Sequence, residues 1–215
     1  MCINFAPTTK ADWLANHFGV AGPETYPLET YPGFVAPLLV KSHQTGRLAC
    51  GLARFGLIPP WALDDKISRH TYNARSETAA DKPSFRQAWQ KRQFGLIPID
   101  HFYEPHYQTG RSVRWKIQRA DGAPTALACL WERWTEPQSA AVVVSFALLT
   151  VNADDHSVMK QFHRAQDEKR SPLVVDENHY HVWLEADQQQ ARQMLDAHLM
   201  PVLQAMPAPL AERTR

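Results

Sequence analysis

The sequence predicts an α+β fold, a single β-rich domain flanked by a few short helices. Three observations predict it. Short apolar or alternating runs that suit strands outnumber the helical patterns, sixteen prolines cut the chain into short elements, and no linker-like stretch divides its 215 residues. A composition of 44% hydrophobic and 21% charged residues is that of an ordinary globular chain, long enough to bury one sizeable core. Residues 1–200 are expected to form that domain. Residues 201–215, with Pro207 and Pro209, are expected to be a poorly ordered tail.

In chain order, a threonine-led start introduces a helix over Ala11 to Phe18. Apolar runs predict strands over Phe34 to Val40, Arg47 to Phe55 and Phe94 to Pro98, the last stopped by its proline. Ser84 is placed to cap a helix over Phe85 to Arg92. Ser112 to Gln118 alternates in character, and Thr125 to Trp131 and Val142 to Asn152 are further apolar strands. A short turn over Asp154 to Phe162 and a helix over Ala186 to Leu199 complete the set, the helices closing the ends of the sheet.

Composition excludes several classes. A formal charge of +1 gives no global basic field, so any nucleic-acid contact has to come from a local patch. Cys2, Cys50 and Cys129 lie far apart without a CxxC pair, which argues against a zinc site or a disulfide framework and for a reduced, cytoplasmic setting. The N-terminus lacks a basic stretch followed by an apolar run, and no apolar run reaches about 18 residues, so no membrane partner is expected. Ten histidines form no pair with metal-ligand spacing, and His179 and His181 are expected on the surface; neither a metal nor an organic cofactor is implied.

Chemistry begins at Cys2, behind Met1. If Met1 is removed, residue 2 becomes a 1,2-aminothiol whose amine and thiol have ordinary pKa values of about 8 and about 8.5, both partly deprotonated near neutrality. An aldehyde can condense with such a pair to an imine and close to a thiazolidine. The alternative is a start residue followed by a small buried cysteine. Phe55-Gly56-Leu57-Ile58-Pro59 recurs as Phe94-Gly95-Leu96-Ile97-Pro98, which suggests two similar strand ends facing one site. The second copy leads into Asp100-His101-Phe102-Tyr103-Glu104, where a carboxyl among aromatics would have a raised pKa suited to acid or base work.

Between the copies lies Asn73-Ala74-Arg75-Ser76-Glu77-Thr78. With Met1-Cys2, Phe55 to Trp61, Leu96 to Glu104 and Thr150 to Val175, in that order, it resembles the SRAP domain family, the SOS response-associated peptidase-like proteins that crosslink to abasic sites in single-stranded DNA. The resemblance covers most of the chain. It implies a barrel-like central mixed sheet, single-stranded DNA containing an abasic site as the partner, and a monomer. It makes Cys2 the nucleophile, with Asn73 near the new N-terminus, Glu104 as a proton-handling carboxyl that opens the sugar hemiacetal, and His163 as a second acid or base, His156 being the fallback. Arg69, Arg75, Ser76 and Arg170 are the expected DNA contacts, with Trp61 stacking on bases. Lyase and self-processing thiol peptidase activities accompany this reading. A thiol hydrolase using Cys2 and a noncatalytic single-strand-binding module are the alternatives.

Three departures from the family pattern stand out. Asn4 occupies a place where an arginine is usual, Pro105 follows Glu104 where a tryptophan is usual, and the His-x-Arg-Met-Pro element is stretched over His163 to Pro172.

Overall fold

The computed structural model describes residues 3–42, 44–107, 110–198 and 200–210. Its elements are β1 (Asn4–Pro7), α1 (Ala11–Phe18), β2 (Val35–Lys41), β3 (Leu48–Phe55), β4 (Asn73–Arg75), α2 (Arg86–Gln90), β5 (Phe94–His106), β6 (Val113–Arg119), β7 (Thr125–Thr135), β8 (Val142–Asn152), β9 (Arg170–Pro172), β10 (Val174–Val175), α3 (Tyr180–Glu185), α4 (Gln188–Ala197) and β11 (Leu203–Pro207). Five strands close on themselves. β2 pairs with β3 and β5, β3 runs beside β8, β8 beside β7, and β7 returns to β5. Within this ring only β3 and β8 are parallel, so the sheet is a closed, mixed, five-stranded barrel.

The two-residue repeat of a strand sorts its side chains to opposite faces. Leu38, Phe55, Ile97, Leu127, Cys129, Phe146 and Leu148 belong to one buried cluster drawn from all five barrel strands, and they fill the lumen. Their neighbours Leu39, Leu96, Ala128, Ala147 and Leu149 face outward and meet Trp13 of α1, Trp89 of α2, Trp183 of α3 and Leu195 of α4. Burial on both faces explains why these strands read as near-continuous apolar runs. It also corrects the expected role of the helices, which cover the barrel wall: α3 packs on β2 and β5, and α2 on β7.

Other differences have local causes. Pro98 does not stop β5, which pairs with Ala126 of β7 at that residue and continues to His106. The two copies of the pentapeptide therefore play different parts, one leaving the end of β3 and the other forming the first half of β5. Ser84 is not a cap: Phe85 precedes α2 without a side-chain cap, and a left-handed Arg92 at φ 55° lies just past its end. The expected helix over Ala186 to Leu199 is α4, and α3 just before it was not expected; the two are separate because Asp187 accepts the backbone N–H of Gln190 at 2.8 Å while Gln190 accepts that of Asp187 at 3.0 Å, a reciprocal cap that starts α4 afresh. Within the expected tail, residues 203–207 form β11 and pair with β6 from Leu203 opposite Arg119 to Pro207 opposite Trp115. Residues 211–215 lie outside the described residues. Among the described residues no helix is long and apolar enough to cross a membrane.

Candidate active site

The register between β1 and β5 slips at one place. Pro7 lies opposite Ile99 and Ala6 opposite His101, which leaves Asp100 as an extra residue in β5. Such a bulge changes which side chains face inward beyond it. Ile97 and Ile99 face the lumen before it, and Phe102 does so after it. By the two-residue repeat Glu104 follows Phe102 inward, whereas uninterrupted alternation from Ile99 would have turned Tyr103 there.

Glu104 is 2% exposed. Burial pushes its carboxyl up to about 7, and its Oε2 lies 3.7 Å from Nε2 of His163. That nitrogen is also 3.1 Å from the carbonyl oxygen of Arg170. A carbonyl only accepts, so Nε2 carries the hydrogen and Nδ1 keeps its lone pair. Burial lowers the pKa of His163 as well. At neutral pH the two groups are therefore a half-protonated carboxyl beside a neutral imidazole, rather than a charged pair. His163 stands at φ +64°, a left-handed conformation that costs a non-glycine residue roughly 1–2 kcal/mol. Its own N–H, donated to the carbonyl of Pro105 at 3.2 Å, holds it beside β5.

The fallback His156 is engaged elsewhere, its Nδ1 accepting the N–H groups of Val158 and Met159 at 3.1 Å each. Asn73 lies opposite Leu148 in the parallel pair of β4 and β8. Leu148 is a lumen residue, so Asn73 lies on the lumen side while Ala74 joins the outer cluster. Cys2 lies outside the described residues. β1 begins at Asn4, opposite Tyr103, the residue before Glu104.

The expected DNA contacts separate into two groups. Arg69 is exposed, on a one-turn helix over Lys66–Arg69 that rests against Gly56. Gly56 has φ +120°, and a Cβ there would lie 2.4 Å from the carbonyl oxygen of Ser68, so only glycine admits this approach. Arg69 lines a cleft of about 320 Å³ that reaches Ile3 and Tyr72. Trp61 is 52% exposed, its indole N–H donated to the Pro83 carbonyl at 3.3 Å. Arg75 is exposed and donates to Glu168 at 2.8 Å. A second cleft of about 550 Å³ is lined by His106, Lys160, His163 and Lys169.

Ser76 and Arg170, by contrast, are buried. Ser76 donates its N–H to Thr150 and accepts from Arg192 through its carbonyl at 2.6 Å. Arg170 donates to both oxygens of Glu77 at 2.7 and 2.9 Å, to Glu168 at 2.9 Å and to the Thr150 carbonyl at 2.6 Å. It ties the loop carrying His163 to β4 and β8 instead of presenting a cation to solvent, which corrects its expected part. The carboxylates of Glu77 and Glu168, and the bulge at Asp100, were not anticipated from the sequence; Glu77 sits within the Asn-Ala-Arg-Ser-Glu-Thr run and was the one with a signal. Among the described residues no group of three His, Cys, Asp or Glu is arranged to hold a metal.

The family model described as SOS response associated peptidase (SRAP) matches residues 1–209. The chain belongs to the SRAP family. It is 29% identical over 192 residues to "Abasic site processing protein YoaM" of Bacillus subtilis strain 168, spanning 86% of this chain and 79% of the relative. It is 28% identical over 193 residues to "Abasic site processing protein YoqW" of the same strain, spanning 86% and 80%. An X-ray structure of a Bordetella bronchiseptica protein superposes with a TM-score of 0.84 at 30% identity, covering 97% of this chain and 100% of that one. A Bacteroides thetaiotaomicron structure gives 0.80 at 18% identity over 96% and 91%, a likeness of fold. Within this SRAP chain the departure at Pro105 has a visible consequence. His106, the next residue of β5, is buried and stacks on Trp115 at 4.7 Å and 25°, so its ring packs against the protein's own aromatic.

Proposed function

We propose that this SRAP chain recognises abasic sites in single-stranded DNA and attaches itself to them covalently through Cys2, acting as a monomer. The observation that carries the reading is the pairing of buried Glu104, on the strand beside which the N-terminal strand begins, with His163 of the loop next to it, 3.7 Å away. The names of the Bacillus subtilis relatives support the substrate.

In this reading removal of Met1 frees the amine of Cys2. Glu104 exchanges a proton with the sugar hydroxyl and ring oxygen, opening the hemiacetal to its aldehyde. The amine of Cys2, oriented by the amide of Asn73, attacks the aldehyde carbon; protonated Glu104 delivers the proton with which the hydroxyl leaves as water, and its carboxylate takes one back from the iminium nitrogen to leave the imine. The thiol then adds to the imine carbon while its proton passes, by way of Nδ1 of His163, to the ring nitrogen. One aldehyde and one aminothiol become one thiazolidine and one water. Of the two roles expected for His163, acid or base, its lowered pKa favours the base. The imine also permits β-elimination at the lesion, the lyase activity of the reading. The peptidase in the family's description fits cleavage of the Met1–Cys2 amide assisted by the same pair.

Phosphate contacts in this account come from Arg69, Arg75, Lys160 and Lys169, with Trp61 available for stacking. Arg75 is shared with Glu168. An exposed pair of this kind is worth up to about 1 kcal/mol, so Glu168→Gln should tighten binding to an intact single strand about two- to five-fold at low salt. Fluorescence anisotropy checks this, and unchanged affinity would show that Glu168 does not compete with phosphate.

The reading is tested by incubating Met1-free protein with a single strand bearing one abasic site, beside the intact strand, and running a denaturing gel. A retarded band with the abasic strand alone is expected. Equal behaviour of the two strands would overturn the reading.

A further inference from the structure

The N-terminal strand is held by a network whose members lie outside the acid–base pair. Asn4 is buried; its Nδ2 donates to the Thr30 carbonyl at 3.3 Å, and its Oδ1 accepts from Nη2 of Arg114 at 2.7 Å. The same Nη2 donates to Oε1 of Glu29 at 2.6 Å. Arg114 comes from β6, on the far side of β5 from β1, and reaches across by laying its guanidinium over the ring of Tyr103, 3.2 Å from the centroid. Glu29 is held in turn by the Tyr31 hydroxyl at 3.0 Å, and Thr30 exchanges backbone hydrogen bonds with Phe5 at 2.8 and 3.2 Å. One planar, multiply donating group thus binds three segments: β6, the strand that ends in the N-terminus, and the 29–31 turn beside it. Lysine, with a single ammonium, would not stack on the ring and bridge both oxygens in the same way.

We infer that Arg114 is a positioning residue for the N-terminal nucleophile, acting through Asn4. The inference rests on the function proposed above. Asn4 is two residues from Cys2, so the geometry of its side-chain clamp sets where the chain leaves β1, and a misplacement of about 1 Å can slow a positioned reaction by about 100-fold.

The test is the crosslinking rate of full-length, Met1-free protein against increasing concentrations of an abasic single strand, with thermal melting of each variant. Arg114→Met should lower the rate at saturating DNA by about 10- to 100-fold and leave the half-saturating concentration unchanged. Asn4→Ala should match it, the double variant should be no slower than either single one, and Arg114→Lys should recover part of the rate. If folded Arg114→Met reacts at the wild-type rate, or if its half-saturating concentration rises in proportion while the maximal rate stays, the positioning role is overturned. Should Arg114→Met fail to fold, Asn4→Ala decides alone, since it deletes the acceptor of Arg114 and the donor to the Thr30 carbonyl together while leaving Arg114 over Tyr103 and bonded to Glu29; a wild-type rate from it overturns the role. A wild type that forms no complex at all overturns the proposed function and this role with it, whereas a normal wild type beside unaffected variants overturns the role alone.

Discussion

Glu104→Gln is expected to slow attachment to an abasic strand by about two to four orders of magnitude while leaving affinity for an intact single strand unchanged. Glu104 is 2% exposed, its side chain on the lumen side of β5, out of reach of a passing phosphate backbone, and the proposed chemistry has it act on the sugar alone. Glutamine keeps the shape and loses the transferable proton. The pH profile separates this from a packing defect. Wild-type rate should rise as the amine of Cys2 deprotonates and fall as the Glu104 carboxyl ionises near 7, giving a bell. In Glu104→Gln the descending limb should vanish and only the rise remain.

Stability provides a second readout of the same group. Because the folded-state pKa is raised from 4.5 to about 7, the folded protein holds this proton more tightly than the unfolded chain does. The resulting stabilisation is complete below about 4.5 and is lost as pH rises through about 7. At roughly 1.4 kcal/mol per tenfold change, the difference is on the order of 3 kcal/mol. Glu104→Gln should therefore be more stable than wild type at pH 8 and similar to it at pH 4, as measured by denaturant unfolding. A wild type whose stability rises between pH 5 and 7 relative to the variant would place Glu104 in a charged pair instead.

Cys2→Ala is expected to abolish the denaturation-resistant complex. The alanine amine still condenses with the aldehyde, so an imine forms and can be trapped by borohydride, but without sulfur the ring cannot close and water reverses the bond. Loss of the stable band together with a borohydride-dependent one separates the two nucleophilic atoms of residue 2. A stable complex of undiminished yield from this variant would assign the chemistry to another residue.

Much of the barrel was legible because its wall is buried on both faces. Val142–Asn152 and Ala11–Phe18 stand where the sequence places them, β2 is shifted by one residue at both ends, and β3 differs by one at its start. Strands of two to five residues, such as β10, β4 and β11, carry too few side chains to show a repeat, and they exist through pairing with distant partners. Proline misled twice: Pro98 sits inside β5, and Pro207 ends a paired strand in a stretch read as a tail. Of the residues singled out by motif, Glu104 and His163 lie 3.7 Å apart and Asn73 lies on the same lumen side. Their arrangement was not legible in the sequence. The inward turn of Glu104 depends on one extra residue at Asp100, and the burial of Arg170 depends on carboxylates 2 and 93 residues away along the chain.

Mass spectrometry of the protein joined to an abasic oligonucleotide, followed by mapping of the joined peptide, tests whether the bond to DNA is a thiazolidine at residue 2. The account predicts a mass one water less than the sum of Met1-free protein and DNA, without added reductant, and a joined peptide that begins at Cys2. An adduct on a protein that still carries Met1, or DNA attached to any other residue, would contradict it.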